Sequence, residues 1–184
     1  MTDAHPTITV HLVLDRQNGK DVLTGVLHAI LFHRLFGTVK PQTFEVLDIT
    51  MPGVSDAAME RLVHDKVDTF WRTIEGAAEK RGQLTVTFSE KRPKKSWFQV
   101  YVGEEDVAWE QWIVNAELRQ PRGERDRQAF DATLASALRK AMMTMLTHTS
   151  SEKGRAAVPL ITNASGISPF PFRIAGIVAG AEVA

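Results

Sequence analysis

Two histidines on one predicted helix, His28 and His33, are the first residues whose chemistry needs weighing. A zinc-binding pair on a helix is spaced i, i+4, which brings both rings to one side. His28 and His33 are five apart, a spacing that favours ordinary helix histidines over metal ligands. The chain has no cysteine, which removes disulfides and thiolate metal sites and fits a reducing compartment. Carboxylates are plentiful, yet none sits in an apolar stretch where burial would raise its pKa for acid–base work. Glu110, between Trp109 and Trp112, comes nearest, and the pattern assigns it an outward strand position or a partnership with a nearby cation. Gly103 and Gly123 stand alone, so there is no glycine loop of the phosphate-cradling kind. No G-x-S-x-G elbow presents a nucleophilic serine. The sequence offers no catalytic residue, no metal ligand and no cofactor site, and no enzyme activity is expected.

The chemistry that remains is contact chemistry. Lys91, Arg92, Lys94 and Lys95 precede the pair Trp97-Phe98, and Glu104, Glu105 and Asp106 follow it. Cations beside aromatics can track single-stranded nucleic acid, but the anions a few residues later oppose that. Lys and Arg together number 22, as do Asp and Glu, so no net field favours nucleic acid or an anionic membrane. Burial of one such ring is worth roughly 1.5–3 kcal/mol, and Trp is enriched among interface hot spots. Two readings stand: Trp97 and Phe98 as a contact site on a hairpin tip, or Trp97, Val100 and Val102 as one more strand of the sheet.

The elements that must position these residues follow from periodicity. Leu84, Val86 and Phe88 alternate with polar residues, and Trp112, Val114 and Ala116 do the same later, which predicts a hairpin over 84–118 with a long excursion at its tip. Residues 7–15 alternate as a first strand, ended by Asn18-Gly19. Val22, Leu23, Val26, Leu27, Ile30, Leu31 and Leu35 recur at helical spacing, and Gly37 is placed to stop that helix. A short strand spans Phe44 to Ile49 and closes at Pro52-Gly53. Ser55 or Asp56 caps a long helix with Val63, Val67, Phe70 and Ile74 facing inward and Trp71 at its edge. A third helix follows Pro121-Arg122-Gly123, with Phe130, Leu134, Leu138, Ala141, Met142, Met145 and Leu146 along one side.

Residues 148–154 read as a mobile loop, Val158–Ile161 as a short edge strand, and Phe170 to Ile177 as a final strand. Residues 1–6 and 179–184 read as flexible ends. At 184 residues, 43% hydrophobic and 24% charged, the chain fits a single domain over 1–184 with a proper core. The order of elements predicts an α+β sandwich, three helices packed on a mainly antiparallel sheet. The N-terminus lacks a signal pattern and no apolar run is long enough to span a bilayer, so a cytoplasmic protein without integral membrane contact is expected.

Val26-Leu27-His28-Ala29-Ile30-Leu31-Phe32-His33-Arg34, the Trp109-Glu110-Gln111-Trp112 stretch and the basic run before Trp97-Phe98 resemble, in this order, signature stretches of the autophagy-related protein 101 family. The resemblance runs from residue 7 to about 178. It implies a HORMA domain with an open-type C-terminal segment, and a non-enzymatic subunit of the autophagy-initiation kinase complex at the phagophore assembly site. It further implies a heterodimer with the HORMA domain of autophagy-related protein 13, and recruitment of downstream autophagy factors through an exposed finger. That role carries over to Trp97 and Phe98, with Tyr101 as a further candidate. The two aromatics are adjacent here, whereas a proline separates them in animal members; in an extended backbone adjacent side chains would point to opposite faces. The alternative is a HORMA module that captures a peptide by closing its terminal segment, roughly 155–178, over a bait strand.

Overall fold

The computed structural model describes residues 4–98, 101–163 and 165–184, with the side chains of Lys95, Tyr101 and Val102 outside the described set. Strand β1 (Thr7–Leu14) alternates strictly, with Ile8, Val10, Leu12 and Leu14 buried and the residues between them exposed. Helix α1 (Gly19–Arg34) begins after Asn18, whose N–H donates to Asp15 Oδ1 at 3.1 Å. It is apolar over most of its circumference, as suits a helix buried in the middle of a layer. It ends before the expected Gly37 because Phe36 takes a positive φ of 55° and turns the chain.

Residues 41–54 depart from expectation. In place of one short strand they form a hairpin, β2 (Pro41–Val46) and β3 (Ile49–Val54), with Pro52-Gly53 inside the second strand. The reversal is made by Leu47 and Asp48, both at positive φ (51° and 61°). This hairpin is a separate two-stranded sheet packed on α1, so its prolines interrupt no inner strand. Helix α2 (Ala57–Gly76) is capped by Asp56, whose side chain accepts from the Met59 N–H. Trp71 is buried, its ring lying over Gly19, where a Cβ would come within 2.1 Å of it.

The hairpin predicted over 84–118 is present and longer than expected: β4 (Arg81–Lys95) pairs with β5 (Tyr101–Leu118). Helix α3 (Gly123–Ser150) buries Phe130, Leu134, Leu138, Ala141 and Met145, while Leu146, expected inside, is exposed. The loop expected at 148–154 is instead the end of α3 followed by a short helix, α4 (Glu152–Ala157), capped by Ser151. Residues 158–161 form no strand; they belong to a crossing segment that leads to β6 (Phe172–Val178). Residues 179–184 hold β7 (Ala181–Glu182), paired with the end of β6.

The main sheet runs β1-β5-β4-β6-β7. Every pairing in it is antiparallel except β1 with β5, which is parallel. The long helices cover one face, and the core lies between them and the even-numbered side chains of β1, β4 and β5. The fold is α+β, in two layers.

Candidate protein-binding site

The outer end of the β4–β5 hairpin is anchored at a buried charged cluster. Glu110, read from sequence as outward-facing, is fully buried. The β5 side chains Trp112, Val114 and Ala116 face the helices, and a period of two carries Glu110 to the same face. That signal was in the sequence; the charge of the residue concealed it. The expected cation is present, but it comes from α1. Arg34 donates from Nε and Nη2 to the two carboxylate oxygens, 2.8 Å each, and Nη2 also reaches the Gly154 carbonyl of α4 at 2.9 Å. Trp112 Nε1 donates to Glu110 Oε2 at 2.8 Å. His148 Nε2 on α3 lies 2.6 Å from Oε1, and since a carboxylate only accepts, Nε2 carries the hydrogen. Both oxygens thus accept twice, which meets the demand of a carboxylate removed from water.

Directly beside this cluster the ladder is irregular. Phe88 pairs with Glu110 and Ser89 with Ala108, so Trp109 is the extra residue of a β-bulge. The bulge turns Trp109 inward as well, against Phe88 and Phe170 at centroid distances of 5.5 and 5.4 Å, with its Nε1 donating to Ser89 O. Arg34 lies 5.6 Å above the Trp109 ring and 5.7 Å from Phe36. One guanidinium therefore joins α1, β5 and α4 at the point where the hairpin leaves the sheet.

Beyond that point, among the described residues, no other strand lies beside the hairpin. The Pro171 carbonyl takes the Ser89 N–H, Pro6 takes that of Gln111, and pairing with β6 and β1 stops there. What had read as an excursion is a two-stranded ribbon, paired from Glu90 and Val107 out to Lys95 and Tyr101. At ~3.3 Å per residue it projects by 15–20 Å. The cationic run faces the anionic run across it: Lys91 pairs with Asp106 at 3.4 Å, and Arg92 stands opposite Glu105. Lys91 and Asp106 neutralise each other across the strands, Arg92 pairs with Glu90 on its own strand, and together these charges keep the isolated ribbon polar.

At the tip, Trp97 is 86% and Phe98 70% exposed. The two rings touch, with centroids 4.3 Å apart and planes tilted by 49°. Both lie in the turn and outside the strands, so the alternation that would send them to opposite faces does not apply. Tyr101 pairs with Lys95 through its backbone; its side chain, like Val100, lies outside the described residues.

The histidines expected to be ordinary helix residues are engaged within the fold. His28 is buried, with Nδ1 accepting the Val54 N–H at 3.2 Å, and His33 Nδ1 lies 2.7 Å from the Ala29 carbonyl. Burial holds the His28 pKa below its ordinary value, against a smaller upward pull from Glu60. No group of three or more potential metal ligands converges among the described residues, and no helix among them is long and apolar enough to cross a membrane.

Residues 11–165, from within β1 to the segment beyond α4, match the family described as Autophagy-related protein 101. The autophagy-related protein 101 of Schizosaccharomyces pombe is 38% identical over 110 residues, covering 59% of this chain and 58% of the relative. That of Arabidopsis thaliana is 29% identical over 136 residues, covering 69% and 62% respectively. The chain spans about three fifths of the length of these relatives. The stretch that matches contains α1 with Arg34, the whole β4–β5 hairpin and α3 with His148, and on that match this chain belongs to the autophagy-related protein 101 family.

Proposed function

We propose that this chain is a non-enzymatic adaptor in the initiation of autophagy, acting in the cytoplasm at the phagophore assembly site. It adopts a HORMA arrangement, pairs with and stabilises the HORMA domain of autophagy-related protein 13, and recruits downstream autophagy factors through Trp97 and Phe98. Tyr101, on the first pair of the ribbon behind them, is a further candidate for the same contact. The observation that carries this reading is the exposed Trp97-Phe98 pair, ring against ring, at the end of a ribbon whose root is buried. Two large rings presented to water gain from a partner's apolar pocket what they do not gain from their own fold. β6 already occupies the far edge of β4, which favours an open-type terminal segment that closes the sheet and wraps no peptide.

The test separates the two contacts. The double variant Trp97→Ala with Phe98→Ala is expected to retain its fold and its one-to-one complex with the autophagy-related protein 13 HORMA domain, seen by co-purification and mass determination. Autophagosome formation in cells carrying it is expected to fail. Normal autophagosome formation with the double variant would remove the finger role, and a wild-type chain that ignores the HORMA partner would remove the pairing.

A further inference from the structure

We infer that the outer edge of β1, beside α3, is a docking site for an extended segment of a partner protein that carries an acidic side chain. This rests on a surface separate from the hairpin tip. In the parallel pairing with β5, Pro6 and Leu14 accept from Gln111 and Arg119, which fixes the even-numbered backbone groups of β1 toward β5. The N–H and C=O groups of Thr7, Thr9, His11 and Val13 therefore point away from the sheet, and among the described residues none of them is hydrogen-bonded. Their spacing, two residues apart along an extended strand, is the spacing another strand presents.

Natural sheets blunt such edges with charges, prolines, bulges or very short strands. β1 reads TITVHLVL and uses none of these: it is eight residues long, carries no Lys, Arg, Asp, Glu or Pro, and pairs without a register shift. A groove of about 590 Å³ runs between this edge and α3, walled by Lys140, Met143, Thr144 and Thr147. Lys140 and Met143 are exposed, and no carboxylate lines the groove. A strand laid on Thr9 and His11 would place alternate side chains toward this wall, where an apolar residue meets Met143 and an acidic one meets Lys140. A second copy of this chain fits less well. In a two-fold edge-to-edge pairing the same patch meets itself, and Lys140 would face Lys140 with no carboxylate between.

The test uses the full chain and two synthetic peptides of alternating valine and threonine, one with a central glutamate and one with a central lysine. The glutamate peptide is expected to bind at least about tenfold more tightly than the lysine peptide and to slow amide exchange at Thr9 and His11. Lys140→Glu is expected to reverse the preference. Thr9→Pro removes one outward N–H on an edge strand, where proline is tolerated, and is expected to abolish binding of both peptides. Equal binding of the two peptides, binding unaffected by Thr9→Pro, or protection confined to other strands would overturn the proposal. So would a concentration-dependent dimer that Thr9→Pro dissolves, which would give the edge to a second copy. Lys140→Glu alone decides the matter if the proline variant does not fold.

Discussion

Arg34 grips Glu110 through two parallel hydrogen bonds of 2.8 Å, one to each carboxylate oxygen, with both side chains almost wholly removed from solvent. Bidentate geometry of this kind fixes direction as well as distance, and here it fixes where the projecting ribbon leaves the sheet. A buried ion pair adds little over a well-packed apolar pair, but an isolated buried charge is costly. Arg34→Met alone strands the Glu110 carboxylate and is expected to lower stability by about 3–5 kcal/mol. Arg34→Met combined with Glu110→Leu is expected to lose less than the sum of the two single losses, though it still leaves Trp112 Nε1, His148 Nε2 and the Gly154 carbonyl without their partners. Urea unfolding of the two single variants and the double variant reads the coupling directly, and additive losses would show that the two side chains do not act as a unit.

Much of this architecture could be read from periodicity, and the parts that could not have definable causes. The apolar stripes of α1 and α2 and the alternation of β1, β4 and β5 survive in the structure because each is a long run with one buried face. The tip residues Trp97 and Phe98 were legible for a similar reason, since two large aromatics among charges stand out. Glu110 was hidden because its own charge contradicted its register, and its cation, Arg34, comes from a helix 76 residues earlier. The β2–β3 hairpin was hidden because its turn uses Leu47 and Asp48 where Asn-Gly would have announced it. α4 was hidden because Ser151-Glu152-Lys153-Gly154 has the composition of a loop, although Ser151 caps it by accepting the Gly154 N–H.

The same turn gives a stabilising substitution. Asp48 sits at φ 61° and is exposed, and a left-handed residue with a Cβ pays a steric cost that glycine does not. Asp48→Gly is expected to raise stability by about 0.5–1 kcal/mol despite the added freedom of the unfolded chain. A higher melting temperature with unchanged secondary structure would bear this out. Leu47 shares the left-handed conformation but packs on the core, so substitution there mixes two effects.

His28 links stability to pH. Its folded pKa lies below the ordinary value of 6.5, chiefly because the ring is buried, while Glu60 pulls weakly the other way. Below 6.5 the unfolded chain therefore takes up a proton more readily than the folded one, so stability falls as pH falls toward the folded pKa. Protonation would also end the acceptance of the Val54 N–H by Nδ1 and so loosen β3 from α1. His28→Asn keeps an acceptor near the Nδ1 position without a titrating group. Urea midpoints followed downward from neutral pH are expected to drop more steeply for the parent than for this variant, and parallel curves would show that His28 is not the group responsible.

The two tryptophans at opposite ends of the ribbon should respond in opposite ways to the same substitution. Trp109, 6% exposed, fills the space between Phe88, Phe170 and Arg34, so Trp109→Ala removes a large side chain from the core. The expected loss is about 3–5 kcal/mol. Trp97, 86% exposed, touches Phe98 and little else of the fold, and Trp97→Ala is expected to change stability by less than about 0.5 kcal/mol. Denaturation midpoints of the two variants, measured side by side, decide the point. A loss of more than 2 kcal/mol at Trp97, on the order of a core cavity, would mean that the ring packs into the fold in solution and is not held free for a partner.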